Sequence, residues 1–460
     1  MVSKAWRVRF APSSHAPVSE SEPPAPGHAS PGRRQPRSRA ACRECKLRRV
    51  KCDEAYPVCR HCARRGTVCV PAPRKTIWKL EMPLLLDQQV GSRDGTASSA
   101  LLQYYFERVC HIMVLDPEIN PLALPLLGRF RESSALLHVV QSIAAAHRHG
   151  FNICDSNAGE CLVERRRTLS AIQQELLQAR SQPVSSFLAI FLLGISSPWI
   201  EGTTGLEHLL GARAVIDLIL GDPTADPCEP STQLILGIYI WWEMAASFNL
   251  DDSLHNPLHT DSMYKAVHAN RLQYHPLAGY SLEMFYMVAN LNRYCRRVVD
   301  GQARDLALEA MLEDWMLRWT PNREDELLYL LSDAYRKHGL IQLHRICGPN
   351  QKDSERESER LIQQWAGEAM ENLLQIPLTS PYLNFQPIPL LSGASEIPAH
   401  NLEQREEVKA RFRAIYSLNT LPVMLDAIAL LEEVWELRSL GITTPWLVIL
   451  LERGQVFPLA

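Results

Sequence analysis

The chain has 460 residues, and its 48 Lys and Arg against 51 Asp and Glu leave a formal net charge of only −3 at pH 7. That near-neutral total hides a split: residues 1–80 hold 18 Lys and Arg against 5 Asp and Glu, a net of +13, and the remainder carries −16. A basic head suits polyanions, whereas an acidic body is repelled by DNA and is expected to face proteins or small molecules. No apolar run approaches the ~18 residues needed to cross a bilayer, the longest lying around Phe187–Ile195 and Trp446–Leu451, so a soluble chain is expected.

Residues 1–38 are rich in Pro, Ser, Ala and Arg and poor in aliphatics, the composition of a disordered basic arm. Met1 to Pro17 has no apolar stretch of a signal peptide, which argues against an oxidising compartment and a disulfide framework. Arg33, Arg34, Arg37 and Arg39 read either as a nuclear localisation signal or as a solvated basic arm.

Next come Cys42, Cys45, Cys52, Cys59, Cys62 and Cys69, spaced C-x2-C-x6-C-x6-C-x2-C-x6-C, two copies of one half at an offset of 17 residues. C-x2-C is the spacing at which one tight turn aims two sulfurs at one ion, and a structural zinc takes four such ligands. Two zincs need eight ligand positions and six sulfurs are present, so two thiolates must bridge both metals. The symmetric candidates are the leading cysteines of each half, Cys42 and Cys59. Far fewer than ~40 residues rarely bury enough apolar surface to fold unaided, so metal is the expected core. Arg43, Lys46, Arg48, Arg49, Lys51, Arg60, Arg64 and Arg65 offset the negative charge of the thiolates and lower their pKa values. A metal store would be denser in cysteine, and a purely structural knot has no use for four cations between Lys46 and Lys51.

From Ala41 to Cys69 the stretch ACRECKLRRVKCDEAYPVCRHCARRGTVC resembles the fungal binuclear zinc-cluster (Zn2Cys6) transcription factors. The resemblance implies a short helix and a strand-like turn in each half, with the C-terminal end of the first helix in the major groove. It also implies that Arg48 and Arg49 form the basic pair reading a CGG-type triplet. An arginine fork bonds guanine O6 and N7 together, and Arg49 is the first choice for that contact. Arg43, Lys46 and Lys51 are better placed on phosphates. Tyr56-Pro57-Val58 resembles the family's proline-containing connector. By the same resemblance the protein is a nuclear, zinc-dependent transcription factor of RNA polymerase II genes, an activator rather than a repressor. Its partners would be double-stranded DNA and transcription machinery or coactivators.

We assign residues 39–73 to this DNA-binding domain and 74–98 to a linker with little regular structure. Ile77, Leu80 and Leu84 make barely one heptad and Pro83 interrupts it, so no coiled coil is expected. A homodimer would have to form through the body.

Residues 99–460 read as one all-α regulatory domain of roughly a dozen helices. Leu102, Tyr105, Phe106, Val109 and Met113 recur at helical spacing, as do Leu136, Val140, Ile143 and Ala144, then Leu209, Ala212, Ile216 and Ile219, then Leu282, Phe285, Tyr286 and Ala289. Prolines, Pro198 among them, punctuate the pattern, and Ile376 to Asn401 reads as an irregular Pro-rich excursion. Leu101–Pro121, Leu136–Arg148 and His208–Leu220 look like the fungal-specific transcription factor domain. Cys110, Cys154, Cys161, Cys228, Cys295 and Cys347 lack metal spacing and are expected as small reduced core residues.

Three roles compete for the body. Glu309–Tyr335 interleaves acidic and apolar residues and reads as a coactivator surface or as an ordinary helix pair with solvated acidic faces. The alternative function is a metabolite-sensing receptor, in which Trp241, Trp242, Met244 and Phe248 line an apolar cavity, although aromatics at helical spacing are more often core. An enzyme is not expected: there is no H-E-x-x-H, G-x-S-x-G, P-loop or dinucleotide motif, and His147 and His149 splay onto different helix faces.

Overall fold

The computed structural model describes residues 41–71, 98–149, 158–177, 182–222, 224–249, 257–348, 355–454 and 457. The expected arm at 1–38 with its basic run, linker residues 74–97 with Pro83, and Cys154 lie outside the described residues. Two short helices, Arg43–Leu47 and Arg60–Arg65, belong to the cysteine-rich segment. Sixteen α-helices follow from Ser99–Tyr104 to Trp446–Glu452, and no strand occurs among the described residues. The excess over a dozen comes from pieces such as Ser99–Tyr104, Pro125–Arg129 and Trp446–Glu452, too short to show a period in the sequence.

Helix starts follow elementary capping chemistry. The hydroxyl of Ser133 accepts from the Leu136 N–H, that of Thr260 from Met263, and the Asp325 carboxylate from Leu328, each satisfying a donor the first turn leaves open. Pro183, Pro230 and Pro387 open helices where a missing N–H costs nothing.

The long helices pair in sequence order. Ser134–Arg148 lies against Ala158–Leu177, and Glu326–Cys347 against Glu355–Gln375. Pro230–Ala246 packs on Leu282–Val299, which packs in turn on Glu326–Cys347. The four periodic faces read from the sequence point inward, with Ile219 half-buried and the rest buried.

Pro183–Ile200 corrects the estimate of the longest apolar run. It is an 18-residue helix, apolar and long enough to cross a membrane by length and composition, and 78% of it is buried inside the body. Serines broke up the run in the sequence. In the helix, Ser196 and Ser197 return their hydroxyls to the Leu192 and Leu193 carbonyls, and Arg165 bonds both, so the polar atoms are satisfied within the core. Pro198 does not end this helix. It withholds the donor that the Gly194 carbonyl would use, and Gly205, at φ +66, backs onto that carbonyl so closely that a Cβ would sit 2.3 Å from its oxygen.

The stretch from Ile376 to Asn401 is not an irregular excursion. It forms a 3-10 turn over Pro381–Phe385 and an α-helix over Pro387–Ala394, with Leu383, Leu390, Leu391 and Ala394 fully buried. Pro381, Pro387 and Pro389 occupy first-turn positions, where they favour a helix rather than break it.

Candidate metal centre and nucleic-acid interface

The two halves of the cysteine-rich segment fold alike. Cys42 caps the first helix by accepting the Cys45 N–H at 3.4 Å, and Cys59 caps the second by accepting the Cys62 N–H at 3.4 Å. Asp53 accepts the Arg60 N–H at 3.0 Å and so joins the first half to the start of the second helix, a role that no spacing in the sequence announced. The peptide bond between Tyr56 and Pro57 in the connector is cis. The strand-like turns implied for each half are extended loops among the described residues.

All six sulfurs converge and are buried. Cys42 Sγ lies 3.8 Å from Cys59 Sγ and 3.8 Å from Cys62 Sγ, and Cys45 Sγ lies 3.7 Å from Cys59 Sγ. A tetrahedral zinc with bonds of about 2.3 Å holds its sulfurs about 3.8 Å apart, whereas a disulfide needs about 2.05 Å. The sulfurs fall into two quartets, Cys42, Cys45, Cys52, Cys59 and Cys42, Cys59, Cys62, Cys69, each within 4.8 Å of one another. Cys42 and Cys59 are common to both quartets. The donor set therefore fits zinc, which the cluster binds.

Contrary to the lowering expected from the surrounding cations, Cys45, Cys62 and Cys69 as thiols are pushed above the ordinary range by burial and by neighbouring sulfurs, Cys62 to about 11. Metal must displace those protons, so zinc affinity falls in acid.

Arg43, Lys46, Arg48, Arg49 and Lys51 sit on the first helix or directly after it, all exposed. The end of that helix explains the placing of Arg49. The Val50 N–H reaches the Cys45 carbonyl at 3.1 Å and the Arg49 N–H reaches Lys46 at 3.2 Å, the paired bonds of a Schellman C-cap. The residue at its turning point must be left-handed, and Arg49 has φ +58. In the second half the equivalent bonds run from Thr67 to Cys62 and from Gly66 to Ala63, and the turning residue is Gly66 at φ +60. One half uses the residue that suits this backbone, and the other accepts strain to put an arginine there.

In the body, Trp241, one of the four residues expected around a cavity, borders an apolar one. Trp242 meets Phe191 edge-on at 5.5 Å, Phe248 meets Trp446 at 5.6 Å, and Met244 is wholly buried, so those three are core. Glu309–Tyr335 is largely a packed helix pair: Leu312, Met316, Leu328, Leu331 and Tyr335 are buried, and Glu309 takes Arg304 and the Tyr294 hydroxyl. His147 bonds the Tyr104 hydroxyl through Nδ1 at 3.0 Å, while His149 is the C-cap of the same helix. Cys110, Cys161, Cys295 and Cys347 are buried as expected, but Cys228 is exposed, in a loop whose turn is set by Asp226.

Two family models match the chain. Residues 40–79 match the fungal Zn(2)-Cys(6) binuclear cluster domain, and residues 100–459 match the fungal specific transcription factor domain. The chain is 35% identical over 69 residues to "Transcription activator AMTR1" of Alternaria alternata, which covers 15% of this chain and 8% of that protein. It is 59% identical over 34 residues to "Zn(2)-C6 fungal-type transcription factor afumD" of Aspergillus fumigatus, covering 7% and 9%. A Zn(2)-C6 fungal-type transcription factor of Gibberella zeae is 51% identical over 39 residues, covering 8% of each chain. The matched stretches thus span less than a tenth of each of these relatives. No solved structure matches the chain.

Proposed function

The chain belongs to the fungal transcription factors that join a Zn(2)-Cys(6) binuclear cluster to a fungal-specific transcription factor domain, a DNA-binding class, and from that premise we propose a nuclear activator of RNA polymerase II genes that reads CGG-type triplets. Residues 39–73 bind DNA and the all-α domain 99–460 carries regulation. Two zincs cross-link the cluster in place of an apolar core. Cys42, Cys45, Cys52 and Cys59 would hold one and Cys42, Cys59, Cys62 and Cys69 the other, with Cys42 and Cys59 available to both.

Arg49 donates its guanidinium fork to guanine O6 and N7, with Arg48 as its neighbour in the triplet. Arg43, Lys46 and Lys51 take phosphates, which set register and supply salt-dependent affinity without reading bases. The observation that carries this reading is the left-handed backbone of Arg49 at the position that Gly66 fills in the duplicated half. The helix end needs a left-handed residue here but does not need an arginine, and an arginine kept in that strained, exposed place supports a role in reading DNA. Activation is supported by the likeness to the Alternaria relative, a transcription activator by name. Coactivators are assigned to the acidic body. A homodimer, where formed, is assigned there too, because Pro83 interrupts the single heptad that Ile77, Leu80 and Leu84 make after the cluster.

Selection of bound sequences from random duplexes by the zinc-loaded full chain tests the proposal. Enrichment of CGG triplets that disappears in Arg49→Ala is the expected result; triplet preference surviving that change would remove Arg49 as the reader.

A further inference from the structure

The body contains a cavity that none of these roles uses. It measures about 30 Å³ and is walled by Met113, Ile143, Trp241, Leu421 and Met424, with His147 also bordering it. A space of that size admits a water or two and no more without movement.

Independent irregularities lie at or next to its walls. Val109, which borders the cavity, is the last residue of a π turn over Tyr105–Val109. Such turns are rare and concentrate at functional sites. Asn419 and Leu421 border it too, and between them Thr420 holds φ +57, a left-handed backbone that a β-branched side chain adopts only under strain. Among the described residues of the body, these are the single π turn and the single non-glycine residue with positive φ. The indole N–H of Trp241, which borders the cavity, and the hydroxyl of Thr420, next to Leu421 in the chain, are buried without a hydrogen-bond partner among the described residues. A buried donor left open is costly, and its persistence calls for an acceptor that the protein itself does not supply.

The lining also limits the chemistry of that acceptor. No Lys, Arg, Asp or Glu borders the cavity among the described residues. Burial, with Arg108 nearby, holds His147 down to about 4, so the wall is uncharged at neutral pH. An ion would be left unpaired in such a place. Met113 and Met424 are unbranched and change shape easily, which gives the narrow cavity room to widen.

We propose that this cavity binds a small, uncharged, largely apolar molecule with one carbonyl-type oxygen, which accepts the Trp241 N–H while Met113 and Met424 re-pack around the apolar part. The site joins segments from Val109 to Met424, so occupancy ties early and late helices of the body together. It supplies what a metabolite-responsive regulator requires, and it stands whether or not the cluster reads CGG.

The test uses the zinc-loaded full chain carrying 5-fluorotryptophan, followed by fluorine NMR during titration with cyclohexanone, and with cyclohexane as the matched probe that lacks the oxygen. The Trp241 signal, identified by its loss in Trp241→Phe, is expected to shift saturably with cyclohexanone. Cyclohexane, or cyclohexanone with Trp241→Phe followed at the neighbouring Trp199 signal, should bind about three- to tenfold more weakly, the share of one hydrogen bond. Met424→Phe, which fills the cavity from another wall, should abolish the shift and keeps the test decisive if Trp241→Phe does not fold. No saturable shift with cyclohexanone, or equal affinity for the two probes, would overturn the proposal and leave the cavity to water.

Discussion

The cysteine-rich segment and the helical body hold their shapes by opposite means. Within the segment the buried apolar set is Ala41 and the six cysteines, with Val58 half-buried beside them. The body buries a continuous core of Leu, Ile, Val, Phe, Tyr and Trp from Leu101 to Phe457, stitched by buried pairs such as Arg293 with Glu243. A segment that small gains its folding free energy by coordination, whereas the body gains it by removing area from water. The two should therefore respond to different insults, and a treatment that made one respond like the other would break the contrast.

Metal removal is the largest. Structural zinc contributes an apparent ~10–16 kcal/mol in peptides of this kind, so chelation should unfold the cluster, expose its thiols to alkylation and abolish DNA binding. Circular dichroism should show the body melting as before; joint melting would break the distinction. Metal analysis of the native chain should return two zincs.

Acid acts on the body through histidines. Burial lowers His147, His275 and His338 from 6.5 to about 4. The unfolded chain takes up protons that these folded sites refuse, so their contribution is complete above pH 6.5 and drains as pH falls toward 4. Together they are worth several kcal/mol, on the order of 1.4 kcal/mol for each pKa unit. Measured on chelated protein, where zinc no longer contributes, the body's melting temperature should drop steeply across that window. His338→Gln should make the drop shallower.

Core truncation comes next. Phe191 is fully buried against Trp242, and Phe191→Ala should cost about 3–5 kcal/mol in urea unfolding of the body while zinc content and DNA affinity of the folded fraction hold. Two changes then sharpen the cluster side. Arg49→Gly should raise the cluster's stability by roughly 1 kcal/mol, because glycine accepts a left-handed backbone freely, yet lose about 1–3 kcal/mol of base discrimination. Stability and specificity moving in opposite directions is the signature; a destabilised cluster would show that the strain has been misread. The smallest effect belongs to Lys46→Ala, which should weaken binding to all sequences alike and reduce the salt slope by about one counterion.

Much of the cluster was legible before any coordinates. Spacing and a count of sulfurs led to two quartets sharing Cys42 and Cys59, because ligation by C-x2-C is a local property of the chain. What spacing could not reveal was the backbone at Arg49, since nothing in ACRECKLRRVKC marks one arginine as left-handed until Gly66 is seen at the matching turn. In the body, apolar periodicity marked the core faces, and misled where proline was read only as a breaker. Pro381, Pro387 and Pro389 open helical turns, and Pro198 sits inside one because Gly205 can approach the carbonyl it frees. Cys228 was expected inside on residue type alone, but its loop keeps it exposed.

By itself the sequence determined the family, the metal-binding pattern, the basic head on an acidic body and the helical class, all of which rest on composition or on neighbours within a turn or two. The tertiary structure alone decided that Trp241 faces a cavity while Trp242 faces the core, and that Val109, Leu421 and Trp241 border one space. The reason is physical: adjacent tryptophans have the same hydrophobicity, and only the long-range packing of helices decides which of them is left with an unmet N–H.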